Sequence, residues 1–162
     1  MMQQQTNPAE LLKQLIGEWS VGIALKKSEE NVVSGCGAMT AVEIESGINS
    51  EIETQIEGFE DYYENDIWSY DPDKGEVHLF RVNSDGEFRD HIGKWVDPQT
   101  LELYWQGTFE DQDQTEQIRV YWANKDQIDL KETHRQLEKV VLTVDYVFKR
   151  KSSMQQLSQD SH

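Results

Sequence analysis

The stretch YDPDKGEVHLFRVNSDGEFRDHIGKWVDPQTLELYWQ, residues 70–106, decides the fold. In it, segments in which Val, Ile, Leu, Phe and Trp alternate with polar residues run from Glu76 to Val82, from Glu87 to Val96, and onward from Leu101. Each is bounded by a turn: Asp71-Pro72-Asp73-Lys74-Gly75, Asn83-Ser84-Asp85-Gly86 or Asp97-Pro98-Gln99. Turns this short join antiparallel neighbours, because a parallel crossover needs a dozen or more residues. The same pattern extends in both directions, from about Ile16 to Arg150. Upstream it marks strands at Trp19 to Lys26, Val32 to Ile44, Ile48 to Phe59 and Tyr62 to Tyr70. Downstream it marks Leu101 to Phe109, Gln117 to Ala123, Gln127 to His134 and Lys139 to Arg150. About ten strands in sequence order predict a mainly β fold, a single up-and-down antiparallel barrel, since closure removes the exposed edges.

Ahead of the first strand, Asn7-Pro8-Ala9-Glu10 reads as a helix start. Asn7 can cap, Pro8 suits the first helical position, and Glu10 lies three residues past the cap. Leu11, Leu12, Leu15 and Ile16 follow at helical spacing, so the short helix has one apolar face and is expected to close one end of the barrel. The domain reading is a flexible tail over 1–7, a barrel over 8–150 and a disordered polar tail over 151–162. A chain of 162 residues is long enough for a real core without disulfides or metal.

The charge is strongly acidic: 15 Lys and Arg against 31 Asp and Glu, a net −16 with a pI near 4.5. Such a chain repels phosphate backbones and anionic lipid, so neither nucleic acid nor a membrane is an expected partner. The lone Cys36 excludes an internal disulfide, and the start lacks the pattern of a signal peptide, so the cytoplasm is the expected compartment. Between Asn49 and Asp66 the acids Glu51, Glu53, Glu57, Glu60, Asp61, Glu64 and Asp66 meet no Lys or Arg.

Opposed residues share a face, so each turn fixes the parity of the next strand. A turn at Lys125 pairs Trp122 with Ile128 and Val120 with Leu130; the last turn then sets Leu130 against Val144 and Ile128 against Tyr146. Turns at Pro98-Gln99 and Ser84-Asp85 place Ile92 opposite Trp105 and Val77 opposite Ile92. The predicted interior is Val77, Leu79, Ile92, Leu103, Trp105, Val120, Trp122, Ile128, Leu130 and Val144. The same parity puts Arg81, Asp90, Glu132 and His134 inside, where charges are costly unless they are paired or meet a ligand. The opposite parity for the fifth and sixth strands would bring in His78, Arg89 and His91, with the two histidines opposed. That pair without a third inward ligand makes a weak metal site, and no metal is assigned.

Other chemistry is scarce. Glu110 to Glu116 is acidic but lacks the glycine and spacing of a calcium loop, and reads as a solvated hairpin loop. Cys36, between Gly35 and Gly37, has no basic neighbour in sequence and reads as a small strand residue. Gly35 and Gly37 would permit a sharp bend in the second strand. No nucleophile elbow, P-loop or dinucleotide fingerprint is present.

Gly17-Glu18-Trp19 after a short helix resembles the G-x-W signature of lipocalin-like (calycin) barrels. The resemblance implies that Trp19 closes the barrel base and that Arg150 or Lys149, at the end of the last strand, packs across it. Trp68-Ser69-Tyr70-Asp71-Pro72, His91-Ile92-Gly93-Lys94-Trp95 and Val141-Leu142-Thr143-Val144-Asp145-Tyr146 look like a narrower family of largely uncharacterised prokaryotic lipocalin-like domains, over about residues 9–150. That likeness implies a ten-stranded barrel and small-molecule binding, with no established reaction. The related nitrobindin barrels hold haem through a histidine on the last strand. Here Leu142 and Thr143 stand near that position and no histidine occurs from Gln136 to Arg150, so no haem and no other cofactor is expected. Fatty-acid-binding barrels hold a carboxylate with an Arg and a Tyr, a role open to Arg81 or Arg119 with Tyr146.

The function expected is non-enzymatic binding of a small, mainly apolar ligand, with Trp19, Arg81, Asp90, Trp105, Trp122, Glu132, His134 and Tyr146 as binding residues. One alternative is an interaction module or homodimer with a side-chain-filled barrel, using an exposed aromatic surface such as Tyr63, Phe80 and Trp95. Another is a lyase-like enzyme using Glu132 and His134, which lie on one strand face about 7 Å apart.

Overall fold

A computed structural model of the chain describes residues 7–28 and 30–152; the tails foreseen at 1–6 and 153–162 lie outside them. Helix α1 spans Pro8–Lys13, and Asn7 caps it by accepting a 3.1 Å hydrogen bond from the Ala9 N–H. The strands follow as β1 (Gly17–Ser28), β2 (Asn31–Ile44), β3 (Gly47–Ile56), β4 (Tyr62–Asp71), β5 (Glu76–Asn83), β6 (Phe88–Asp97), β7 (Thr100–Phe109), β8 (Gln112–Asn124), β9 (Gln127–Gln136) and β10 (Lys139–Arg150). Every strand pairs antiparallel with its sequence neighbours, and β1 pairs with β10, so the sheet closes into a ten-strand barrel. No helix among the described residues is long and apolar enough to cross a membrane.

Short turns drive the closure. Glu110 and Asp111, and likewise Leu137 and Glu138, both adopt positive φ, the two-residue geometry whose twist matches that of flanking strands. Gly37 permits the close approach of β2 to β3, because a Cβ there would run into the Glu53 carbonyl oxygen. The core combines Leu11, Leu12 and Leu15 of the helix with inward residues of the strands, including Trp19, Ile52, Trp68, Leu103, Ile118, Trp122 and Phe148.

The helix closes the barrel end from which β1 starts. Trp19 is fully buried there and donates its indole N–H to the Leu15 carbonyl at 2.8 Å. The Arg150 guanidinium lies 4.1 Å from the Trp19 ring centroid. It donates to the carbonyls of Ile16 (2.8 Å), Gln14 (2.7 Å) and Lys125 (3.1 Å). One side chain thus satisfies helix-end and turn carbonyls that have no strand partner.

The observed register keeps the expected Trp122–Ile128 and Val120–Leu130 pairs. Three others move. The two-residue turn at Leu137-Glu138 and the bulge between Val140 and Leu142 each shift β10 by one position, two in all, so that Leu130 faces Tyr146 and Ile128 faces Phe148. The even shift leaves the inward set intact. A bulge between Trp95 and Asp97 pairs Ile92 with Tyr104 rather than Trp105. The β5–β6 turn has three residues, Ser84 to Gly86, with Gly86 at φ 78, so Val77 faces Gly93 and His78 faces Ile92. These two odd shifts flip β6 alone. Ile92, expected inside, is 41% exposed; Asp90, also expected inside, pairs with the exposed Phe80 on the outer face. In their place Arg89, His91 and Trp95 turn inward. His91 faces Leu79 instead of His78, so the opposed histidine pair does not form. Trp95 packs on Trp122 with centroids 4.9 Å apart and does not belong to an exposed aromatic surface.

Candidate functional site

A cavity of about 490 Å³ opens at the barrel end opposite α1. One wall is apolar, made by Ile23 and Leu25 of β1, Ile56 of β3 and Leu142, Val144 and Tyr146 of β10. The other is polar, with Tyr62, Asn83, Glu87, Glu132 and His134. Phe59, Glu60, Asp61, Ser84 and Asp85, from the β3–β4 and β5–β6 turns, form its mouth. A smaller recess of about 50 Å³ adjoins the polar wall and reaches Arg81, Arg89 and Glu116.

Beneath that wall lies a buried charge cluster centred on Arg81, which is 4% exposed. Its Nε donates to Asp66 Oδ1 at 3.1 Å and one terminal nitrogen to Asp66 Oδ2 at 3.3 Å. That same nitrogen lies 3.0 Å from Glu64 Oε1. The other terminal nitrogen reaches Glu132 Oε1 at 2.5 Å and Glu116 Oε1 at 3.4 Å. Arg89 donates to Glu116 Oε2 and, at 3.3 Å, to Glu87 Oε1, while its guanidinium lies 4.6 Å from the Trp105 ring centroid. His91 Nε2 stands 3.2 Å from Glu116 Oε1, His134 Nδ1 3.7 Å from Glu116 Oε2, and His134 Nε2 3.4 Å from Glu132 Oε2. Tyr62 closes the network by donating to Glu64 Oε2 at 2.9 Å.

The protonation pattern follows from these contacts. Burial pushes the Glu64 carboxyl well up, against the pull of Arg81. Burial works the same way on Glu116 and Glu132 but is outweighed: by His91, Arg81 and His134 for Glu116, and chiefly by Arg81 with His134 for Glu132, so both lie below the usual carboxylate range. Burial would lower His134; its hydrogen bond and charge contact with Glu132, aided by Glu116, raise it instead. Burial works against the charge on Arg81 too, and the surrounding carboxylates more than offset it. Arg81, Arg89 and His134 each stand against at least one carboxyl of Glu64, Asp66, Glu116 and Glu132. Such mutual pairing is what allows charged groups to persist away from water.

The residues expected to bind ligand divide accordingly. Glu132, His134 and Tyr146 line the large cavity, and Arg81 lines the recess. Trp105 faces inward under Arg89; Trp19 and Trp122 pack in the core, Trp19 at the helix-closed end, and neither lines a cavity. Asp90 is on the outside. Glu132 and His134, whose spacing of about 7 Å along the strand argued against direct contact, do meet through their side chains. Glu116, Glu132 and His134 have ligand atoms within 4.8 Å of one another, but Arg81 and Arg89 already occupy those carboxylates, which is unfavourable for a cation there.

Three members of the cluster had been read otherwise. Glu64 and Asp66 belong to the acidic run that meets no Lys or Arg in sequence, and Glu116 to the segment expected as a solvated hairpin loop. The β7–β8 turn contains only Glu110 and Asp111, so Asp113 to Glu116 are strand, and Glu116 is 1% exposed. In β4, Glu64 and Asp66 share a face with the buried Trp68, opposite Ile52 and Ser50. The alternation Tyr62, Glu64, Asp66, Trp68 was the available signal.

The chain matches no protein-family model and no curated sequence. Solved structures do match. The S-type phycobiliprotein lyase CPES from Guillardia theta superposes with a TM-score of 0.63 at 11% identity, over 89% of this chain and 92% of that one. Rv2717c from M. tuberculosis gives 0.65 at 15% identity, over 90% and 99%. The redesigned β-barrel mFAP1, bound to DFHBI, gives 0.50 at 10% identity, over 86% and 98%. At such identities the likeness concerns architecture alone, a closed antiparallel barrel, here of ten strands.

Proposed function

We propose that the protein is a cytoplasmic, non-enzymatic binder of a small, mainly apolar molecule, held in the open-ended barrel cavity. The carrying observation is the cavity itself, about 490 Å³ with an apolar β1–β10 wall facing a polar one. Small-molecule sites have this size, roughly 300–1,000 Å³, and this mixed lining. A redesigned barrel bound to DFHBI and a phycobiliprotein lyase have a similar architecture, which agrees with a barrel used as a container. Tyr146, Glu132 and His134 would contact the ligand, and Arg81 would act only through Glu132. Native mass spectrometry of protein purified from its own host tests this. A reproducible mass excess, lost on denaturation, is expected. The bare chain mass, with no tryptophan-fluorescence change across a panel of fatty acids, amines and aromatic ligands, would overturn it.

One observation favours a second reading, a homodimer. Ile67, Phe80, Val82, Phe88, Ile92 and Tyr104 stand together on the outer face of β4–β7, each at least 40% exposed. Contiguous apolar surface of this kind marks interaction sites. Sedimentation equilibrium at low and high salt is the test: a dimer on this face survives high salt and is lost in Phe88→Asp, and a monomer at all concentrations sinks the reading.

A further inference from the structure

We infer that the barrel cavity selects against anions and takes a ligand whose polar end is cationic or a neutral hydrogen-bond donor. This rests on the binding reading above and specifies the chemistry of that same site.

The cationic groups near the cavity are already committed. The Arg81 donors are directed at Asp66, Glu64, Glu116 and Glu132. Arg89 is held by Glu116 and Glu87 and covered on one face by Trp105. His134 is held by Glu132 and Glu116. No Lys or Arg occurs among the described residues lining the large cavity. A carboxylate or phosphate entering it would find no uncommitted positive partner.

Negative groups are in surplus at the mouth. The wall carboxylates Glu132 and Glu87 are already paired with Arg81, His134 and Arg89, whereas Glu60, Asp61 and Asp85 stand exposed at the mouth with no ion pair among the described residues. A concave site lined by one sign of charge focuses the field and raises the local concentration of the opposite sign. Burial pushes the Tyr62 and Tyr146 hydroxyls up, with Glu64 and Glu132 adding to it and Arg81 opposing. Both keep their protons, and Tyr146 faces the cavity. With the whole chain at −16, the long-range potential acts in the same direction. The apolar wall is indifferent to charge, so it sets affinity while the mouth and polar wall set sign.

The test compares ligands of one apolar body and different charge: 1-naphthylmethylamine, 1-naphthylmethanol and 1-naphthoate, titrated calorimetrically into the full chain at low salt. The amine is expected to bind at least about tenfold tighter than the acid, with the alcohol between them; tenfold corresponds to about 1.4 kcal/mol. Replacing the exposed mouth acids together, Glu60→Gln, Asp61→Asn and Asp85→Asn, should narrow that ratio, and so should 0.5 M salt. Equal binding of the three, or tightest binding of the acid, overturns the inference and leaves the binding reading standing. If none binds, the molecule carried from the native host decides: an anion overturns the inference, a cation or neutral donor upholds it. If the native protein also carries nothing, the binding reading fails and the inference falls with it.

Discussion

Arg81 is the residue on which the barrel interior most depends, and replacing it with Met isolates that dependence. Methionine preserves much of the side-chain volume but removes the charge that pairs with Asp66, Glu116 and Glu132 inside the barrel. Breaking a buried ion pair by removing one partner costs roughly 3–5 kcal/mol. Arg89 and His134 remain to share the load, so the lower part of that range applies to the first carboxylate, with further cost from the others. Against a typical total of about 5–15 kcal/mol, the loss is large without abolishing folding. For a chain of this size it corresponds to a Tm drop of about 6–20 °C. The pH dependence is the diagnostic part. Without Arg81 the buried carboxyls ionise less readily, so the folded state holds protons that the unfolded state has released. The variant should therefore gain stability, relative to the parent, as pH falls from about 7 towards 5. Urea denaturation followed by tryptophan fluorescence, with Trp19, Trp68 and Trp122 all buried as reporters, measures both effects. Adding Glu132→Gln to Arg81→Met should recover part of the loss. A variant within about 0.5 kcal/mol of the parent at pH 7, with a parallel pH curve, would refute the account of Arg81 as the organiser of the interior.

Other outcomes follow from the same geometry. The raised His134 stabilises the fold below its unfolded pKa of about 6.5, and this contribution disappears as pH rises through the higher folded value; Glu64, also raised, adds to the decline. Glu116 and Glu132, both lowered, stabilise above about 4.3 and lose their contribution as pH falls through their folded values. Urea midpoints measured from pH 4 to 9 should thus peak between about 5 and 6.5, and His134→Gln should flatten the alkaline side; an unchanged alkaline side would contradict the His134 assignment. Arg150→Lys keeps the charge but cannot serve three carbonyls while stacking on Trp19. A loss of about 1.5–3 kcal/mol is expected in chemical denaturation, and a neutral result would mean that the barrel base is held by other contacts. Gly37→Val should be destabilised by about 1–3 kcal/mol through forced separation of β2 from β3, seen as faster amide exchange along that pair; unchanged exchange and stability would show that the strands can part freely.

How much of this was legible without coordinates depended on how local each signal was. The capped helix and the ten strands in chain order were open to reading because each rests on short-range chemistry: a capping residue, alternation or a turn. The packing of Arg150 or Lys149 across Trp19 was implied only by the resemblance to lipocalin-like barrels, and the structure places Arg150 there. Strand existence is robust because alternation repeats over many residues. Facing is less robust, since one bulge inverts everything beyond it until another odd shift restores it. That happened at β6, where the bulge between Trp95 and Asp97 and the three-residue turn ending at Gly86 acted oppositely. Arg89 and His91 therefore face inward, and Asp90 and Ile92 outward, while β5 and β7 kept their expected sides.

The amino-acid sequence by itself determined a closed antiparallel barrel, an apolar interior and an inward Arg81, Glu132 and His134, because periodicity and turn length act over a few residues. Only the tertiary structure decided that Glu64, Asp66 and Glu116 join them. Acidic residues in a run read as solvated, and burying three more carboxyls makes sense only once Arg81 and Arg89 are seen to arrive from β5 and β6 to meet them. The cavity, too, was a tertiary result. Whether a barrel of ten strands is filled or hollow depends on which large side chains turn into the same layer. Trp19, Trp68, Trp95, Trp105 and Trp122 do not line the large cavity, which is left open beside β1 and β10 at the other end from α1.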